Sequence, residues 1–351
     1  MRLRGGQGSG LLLACVLGCC TPLAEASDPS PWPEPTGREI GGVAERAGST
    51  ALVVIQRGNA VLEWGATSRR INGHSVRKSL LNALLGIAVE RGLLDVDHPI
   101  GSFDLPEGEK LNAVERSATV RDLMMSRSGI YLRAANETPM AMLRRPKRNA
   151  HAPGEHWYYN NWDFNTLGVI FERSSGLAIG VAFHQWIAVP IGLRDFRPGD
   201  VTYESWLGSA HPATPFWISA RDLAAFGWLL AREGRWGERQ VISRGWVQAS
   251  TQPHSDTGDS GYGYMWWVES GGRLHVPGTR FPSGSFMAAG LGGQYLVVVP
   301  ACELVVVNLV DTGASKFERL RWLVLGDAVE PDEFAAILRP IFLEAACADG
   351  G

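Results

Sequence analysis

From Leu80 to Val89 the chain is almost wholly apolar, and the run follows directly on His74-Ser75-Val76-Arg77-Lys78-Ser79. A helix that is apolar around its whole circumference has to be buried inside other elements. The pattern predicts such a helix over 75–91, stopped at Gly92. Its mouth carries Ser75 and Lys78, which at a spacing of three lie one turn apart on the same face. Lysine is scarce in this protein: of 33 basic residues only Lys78, Lys110, Lys147 and Lys316 are lysine, the rest being arginine. Arginine cannot serve as a base, whereas a desolvated lysine can. A serine beside its own base is the arrangement of an activated nucleophile.

At 351 residues the chain can bury a large core. The net charge of −3 gives no nucleic-acid footprint, and no apolar run is long enough for a membrane span in the mature chain. Arg2 and Arg4, the apolar stretch Leu11 to Leu17, and Ala24-Glu25-Ala26 read as a signal peptide over 1–26, cleaved before Ser27. Val16-Leu17-Gly18-Cys19 offers the rival reading of a lipoprotein signal with a lipid anchor at Cys19. Either way the protein is expected to be exported, periplasmic or secreted. Pro29, Pro31, Pro33 and Pro35 mark 27–40 as an extended linker. Only Cys302 and Cys347 lie beyond the targeting segment; one disulfide and two free thiols are both open.

Beyond the linker, Leu52–Gln56 and Ala60–Trp64 flank Arg57-Gly58-Asn59 as a hairpin. Helices are expected over 119–125, 165–172 and from a cap at Ser219 to about Glu233. Strands follow over 262–268, 284–289, 295–299 and 304–310, then helices over 317–325 and 331–344. Short links between the late strands make their sheet antiparallel. The fold class is therefore α+β, an antiparallel sheet flanked by helices with a mainly helical subdomain inserted. The domain spans 41–346, with its sheet part at 41–74 and 256–346 and its helical part at 75–255.

His156 to Asn165 is dense in aromatic and amide residues and follows Pro153-Gly154, so it reads as a loop held by rigid elements. A tyrosine there, beside the Lys78 ammonium, would ionise more easily and could relay a proton. Trp157, Tyr158 and Trp162 have the alternative of simple core packing.

Ser75-x-x-Lys78, then Tyr159-x-Asn161 with Leu167-Gly168 after it, resembles the serine β-lactamase and penicillin-binding-protein family. The class C branch, with its esterases and nylon-oligomer (aminohexanoate-dimer) hydrolases, looks most similar. The likeness includes Val120 to Met125, Ser128-Gly129-Ile130, Ser219 to Leu223 and Tyr264 to Trp267, and covers nearly all of the mature chain. It implies a β-lactamase/transpeptidase-like fold, Ser75 as nucleophile, Lys78 as base and Tyr159 in the proton relay. It also implies that Asn161 contacts substrate and lysine and that Tyr131 faces the substrate. The family's Lys-Thr-Gly element is absent. Ala288-Ala289-Gly290 stands in its place, followed by Leu291-Gly292-Gly293-Gln294. The glycine stays and the cation that meets a substrate carboxylate is gone. The N–H groups of Ser75 and Leu291 can still form an oxyanion hole, because backbone donors need no particular side chain.

Other readings fit less well. Gly290 to Gly293 is followed by a strand, not a helix, so it is no phosphate loop. Asp311-Thr312-Gly313 and Asp256-Thr257-Gly258 resemble aspartic-protease turns, but the second has no apolar strand leading in. No metal-ligand spacing occurs, and Gly73 to Arg77 is not a Gly-x-Ser-x-Gly elbow. The expectation is a cofactor-free serine hydrolase of small amides or esters. Trp162, Phe216, Trp217, Trp266 and Trp267 are available to line an apolar pocket. The alternatives are a β-lactamase or D,D-peptidase, a non-catalytic binding protein on the same fold, and an aspartic protease.

Overall fold

The computed structural model describes residues 31–106, 110–313 and 328–347. The leader over 1–26, Cys19 and the helix expected at 317–325 lie outside the described residues. Among the long helices and the strands of the main sheet, the first elements are α1 (Glu34–Arg46), β1 (Ala51–Gln56), β2 (Asn59–Gly65) and α2 (Arg77–Glu90). Next come α3 (Asn161–Ser175) and α4 (Ala220–Ala231). The chain then adds β3 (Ser255–Asp256), β4 (Gly261–Tyr262), β5 (Trp267–Val268), β6 (Phe286–Gly290), β7 (Gln294–Val299), β8 (Leu304–Leu309) and α5 (Pro331–Glu344). The sheet runs β2-β1-β8-β7-β6-β5-β4-β3, and all of its pairings are antiparallel. It is an α+β fold whose first hairpin is joined to the late strands through β1 and β8, with Val54 opposite Val306.

All six residues of β1 are buried, as are all six of β7 and of β8. Side chains alternate across a strand, so such strands must be covered on both faces. On one face Val53, Ile55, Leu296, Val298, Val305 and Val307 join the core built by the helical region. On the other, Leu52, Val54, Val297, Val299 and Val306 pack against Ile40 of α1 and Phe334, Ile337 and Ile341 of α5. Each such side chain contributes about 1.5–3 kcal/mol on burial. α4 lies flat on the first face because Gly227 has no Cβ: one built there would sit 2.6 Å from Leu296 and Val305 side-chain carbons.

α1 corrects the linker expected over 27–40. Pro33 caps it and Pro35 occupies its first turn, where a missing N–H costs no helical hydrogen bond. The helix buries Ile40 and Ala44, so the prolines mark a helix start, not a spacer. The strand expected over 262–268 is also corrected. It is two strands, β4 and β5, with Gly263 to Trp266 folded inward between them. There Met265 N–H donates to Met124 O (3.1 Å) and Met265 O accepts from Ser79 Oγ (2.8 Å), tying this turn to α2. Cys302, between β7 and β8, is disulfide-bonded to Cys347 just beyond α5, resolving the choice left open by the sequence.

Candidate active site

Ser75 lies in a tight 3-10 turn, His74–Val76, that runs straight into α2. His74 adopts φ 45°, left-handed backbone that a non-glycine residue enters only when its surroundings hold it there. Two contacts do so: its N–H donates to Asn72 Oδ1 (2.9 Å), and its Nε2 lies 2.8 Å from Thr312 Oγ1. Thr312 belongs to one of the Asp-Thr-Gly tripeptides. Asp311 of that tripeptide pairs with Arg69. Asp256, its supposed partner in an aspartic protease, sits on β3, with β7, β6, β5 and β4 between it and β8. These two aspartates cannot share a proton.

Lys78 points back along the same face, as the spacing predicts. Its Nζ is 2.7 Å from Ser75 Oγ and 4.7 and 4.8 Å from the ring centroids of Tyr159 and Phe164. The residue is 3 % exposed, and among the described residues no carboxylate forms an ion pair with it. Burial therefore holds its amine well below the usual lysine range, and the neighbouring Arg77 charge pushes the same way. Burial thus favours the neutral amine, in contact with a hydroxyl, the form in which lysine can accept a proton.

Tyr159 immediately precedes the cap of α3. Asn160 is the N-cap and accepts from Trp162 N–H (3.1 Å), so the helix starts four residues before the expected Asn165. The Tyr159 ring is stacked on Trp267 (5.7 Å between centroids, 14° between planes) and packs on Phe164 at 5.0 Å. Burial pushes its phenol up to about 12, against the opposing pull of the Ser75 hydroxyl and the Arg77 charge. This corrects the expectation of a readily ionised tyrosine. With Lys78 shifted towards its neutral form there is little ammonium to stabilise a phenolate, and the resting residue is a phenol.

The strand-end glycine completes the cluster. A Cβ on Gly290 would stand 2.5 Å from Gly73 O and 3.1 Å from Ser75 N. The end of β6 therefore touches the backbone of the serine turn, and the Leu291 N–H follows next along the chain. Gln294 is a brace for this hairpin: its Nε2 donates to Val310 O (2.7 Å) and its Oε1 accepts from Val310 N–H (3.1 Å).

The other candidates behave differently. The Asn161 amide donates to Asn136 O (2.9 Å), not to Lys78, and its Oδ1 is buried without a partner. The Tyr131 hydroxyl lies 2.9 Å from His151 Nδ1, and its ring packs edge-on against Tyr158. Trp162 is 3 % exposed and packs edge-on against His211, a core position. Phe216 and Trp266 are likewise in the core. Of the five expected pocket aromatics, Trp267 is the one stacked on Tyr159. Sequence reasoning missed Phe164 and Tyr262 around Tyr159, and Arg77 with Asn165. The available signal was an arginine inside a segment already read as buried.

Asp163 supports the Tyr159 segment from below. Its Oδ1 accepts from Ser128 Oγ (2.6 Å) and Asn160 Nδ2 (3.0 Å), while Oδ2 is buried without a partner. Burial, only partly opposed by the Ser128 hydrogen bond, holds its carboxyl well above the usual range. Below the unfolded-state value of about 3.9 both states keep the proton. Above it the unfolded chain ionises and the folded one does not, so Asp163 subtracts from stability increasingly as pH rises. Asp163→Asn keeps the acceptor and is expected to raise the melting temperature at pH 7, the gain closing as pH falls to about 4. A gain independent of pH in thermal unfolding would contradict this account.

The Beta-lactamase family model matches residues 38–330 of the chain. An uncharacterised protein of Alkalihalophilus pseudofirmus is 22 % identical over 299 residues, 76 % of this chain and 84 % of that one. A candidate 6-aminohexanoate-dimer hydrolase from Bacillus anthracis shares the fold at a TM-score of 0.61 and 18 % identity, covering 87 % of this chain and 80 % of that one. A penicillin-binding-protein homologue from Caulobacter crescentus does so at 0.61 and 15 %, covering 90 % and 99 %.

Proposed function

The chain belongs to the beta-lactamase family of serine hydrolases, and from that premise we propose that it cleaves small amides or esters through an acyl-enzyme on Ser75. The observation that carries this reading is the 2.7 Å contact between Ser75 Oγ and a buried, carboxylate-free Lys78 amine. Ser75 Oγ attacks the substrate carbonyl carbon as its proton passes to Lys78 Nζ. The carbonyl oxygen becomes an oxyanion held by the N–H groups of Ser75 and Leu291. The bond to the leaving nitrogen or oxygen then breaks. That atom takes a proton from the Tyr159 phenol, which is restored from the Lys78 ammonium. Water attacks the ester on Ser75, giving its proton to the same relay, which returns one to Ser75 Oγ as the acyl bond breaks and the free acid leaves.

The site favours neutral substrates. Where relatives in this family carry a cation for a substrate carboxylate, this chain has Ala288-Ala289-Gly290 at the end of β6. Asn161, with its unpartnered Oδ1, and Trp267, stacked on Tyr159, are the side chains suited to hold the acyl portion. An exported location accords with the leader pattern and with the Cys302–Cys347 disulfide, since such bonds persist in oxidising compartments.

The test is intact-mass spectrometry after a fluorophosphonate probe, with peptide mapping and Ser75→Ala as the blank. One adduct on Ser75, together with turnover of a short-chain p-nitrophenyl ester, is the expected result. A protein that takes no adduct and leaves the ester untouched is a binding protein on this fold, and the reading fails.

A further inference from the structure

Arg77 lies between the two catalytic candidates in sequence, and nothing in the reaction described above uses it. It is 4 % exposed. Its Nη2 donates to Asn165 Oδ1 at 2.7 Å, and Asn165 Nδ2 donates in turn to Ala135 O at 3.1 Å. Its Nη1 is buried with no partner, and among the described residues no carboxylate pairs with it. An unpaired buried guanidinium is expensive. This chain keeps one next in sequence to a buried lysine, with Glu204 the carboxylate that favours its charge.

We infer that Arg77 is a positioning residue for the reaction of Ser75: anchored on Asn165, it fixes a buried positive charge close to Lys78 and Tyr159. This inference rests on the acyl-enzyme reading. The charge acts at two stages. Before attack it disfavours a proton on Lys78, so the amine stands ready as a base. After attack it makes the Lys78 ammonium a strong acid, which surrenders its proton towards Tyr159 and the leaving group instead of retaining it.

The groups facing this charge are few. Lys78 shares its helix, Tyr159 approaches from the segment before α3, and Glu204 from the connection before α4. Asn165 of α3 is neutral. Burial brings the guanidinium down to about 10, so it stays charged at neutral pH, where Glu204 favours that form. On the Lys78 side, burial is the larger cause of the lowered amine and Arg77 the second.

The experiment is the rate of fluorophosphonate labelling of the full chain against pH, for wild type, Arg77→Met and Asn165→Ala, with Ser75→Ala as the blank. Arg77→Met conserves most of the volume and removes the charge. Its acid limb should move up by about one pH unit, the scale of losing one neighbouring like charge, with the rate recovering towards wild type at high pH. Asn165→Ala keeps the charge, and its limb should stay near the wild-type position whatever its rate. If Arg77→Met does not fold, Arg77→Gln takes its place. A rate lowered uniformly across pH, with the limb unmoved, would make Arg77 merely structural and overturn the inference. Labelling of Ser75→Ala at the wild-type rate would instead overturn the acyl-enzyme reading itself.

Discussion

Lys78→Met is expected to slow acylation of Ser75 by about 10²–10⁴-fold, the usual contribution of a positioned general base, while the melting temperature holds or rises. The two halves of this expectation have one cause. The amine is buried, its polar contact is the Ser75 hydroxyl at 2.7 Å, and two aromatic rings close over it. Methionine fills that space without a polar group to desolvate. What the substitution removes is the proton acceptor, and the fold loses nothing it needs. Lys78→Arg should be as inactive, because a guanidinium does not give up its proton. Stopped-flow turnover of a p-nitrophenyl ester beside thermal unfolding reads both quantities. Near-wild-type acylation in either variant would exclude Lys78 as the base.

Gly290→Ala should lower kcat by about 10²–10³-fold, the range seen when an oxyanion donor is lost, with a smaller change in KM. The added methyl meets backbone: the Gly73 carbonyl oxygen at 2.5 Å and the Ser75 nitrogen at 3.1 Å. Neither can rotate away as a flexible side chain would. The hairpin of β6 and β7 must retreat from the serine turn, and the Leu291 N–H goes with it. Phosphonate adducts provide a second readout, since the phosphoryl oxygen occupies the same hole. If Gly290→Ala turns over substrate and labels like the wild type, the oxyanion hole lies elsewhere.

Much of this architecture was legible because single strong signals dominated. The apolar run after Ser75 forced a buried helix, and the helix is buried from Arg77 through Ala88. The 331–344 helix coincides with α5. The signals that misled were locally ambiguous. Pro33 and Pro35 suit a linker or a helix start equally, and burial of Ile40 and Ala44 decided between them. Tyr262 to Val268 has strand composition throughout, yet Gly263 lets the backbone press against Ser250 O, where a Cβ would stand at 2.1 Å. At the site, sequence proposed which residues meet but not their protonation. Lys78 was expected as a desolvated base, and burial does lower its amine; Tyr159 was expected to ionise more easily, and burial instead holds it as a phenol. Trp162 shows a further limit, because an aromatic beside a catalytic loop can turn into the core instead of the cleft.

The placement of α1 and α5 has a practical side. Both cover the face of the sheet opposite the one shared by α2 and α4, and Cys347 is stapled to the β7–β8 turn. Residues 31 and 347 thus belong to the layer on the far side of the sheet from Ser75. A tether attached at either position would hold the molecule by its back, with Ser75 on the opposite side of the sheet. The enzyme could be displayed on a bead or a cell surface without obstructing the approach of small molecules in solution.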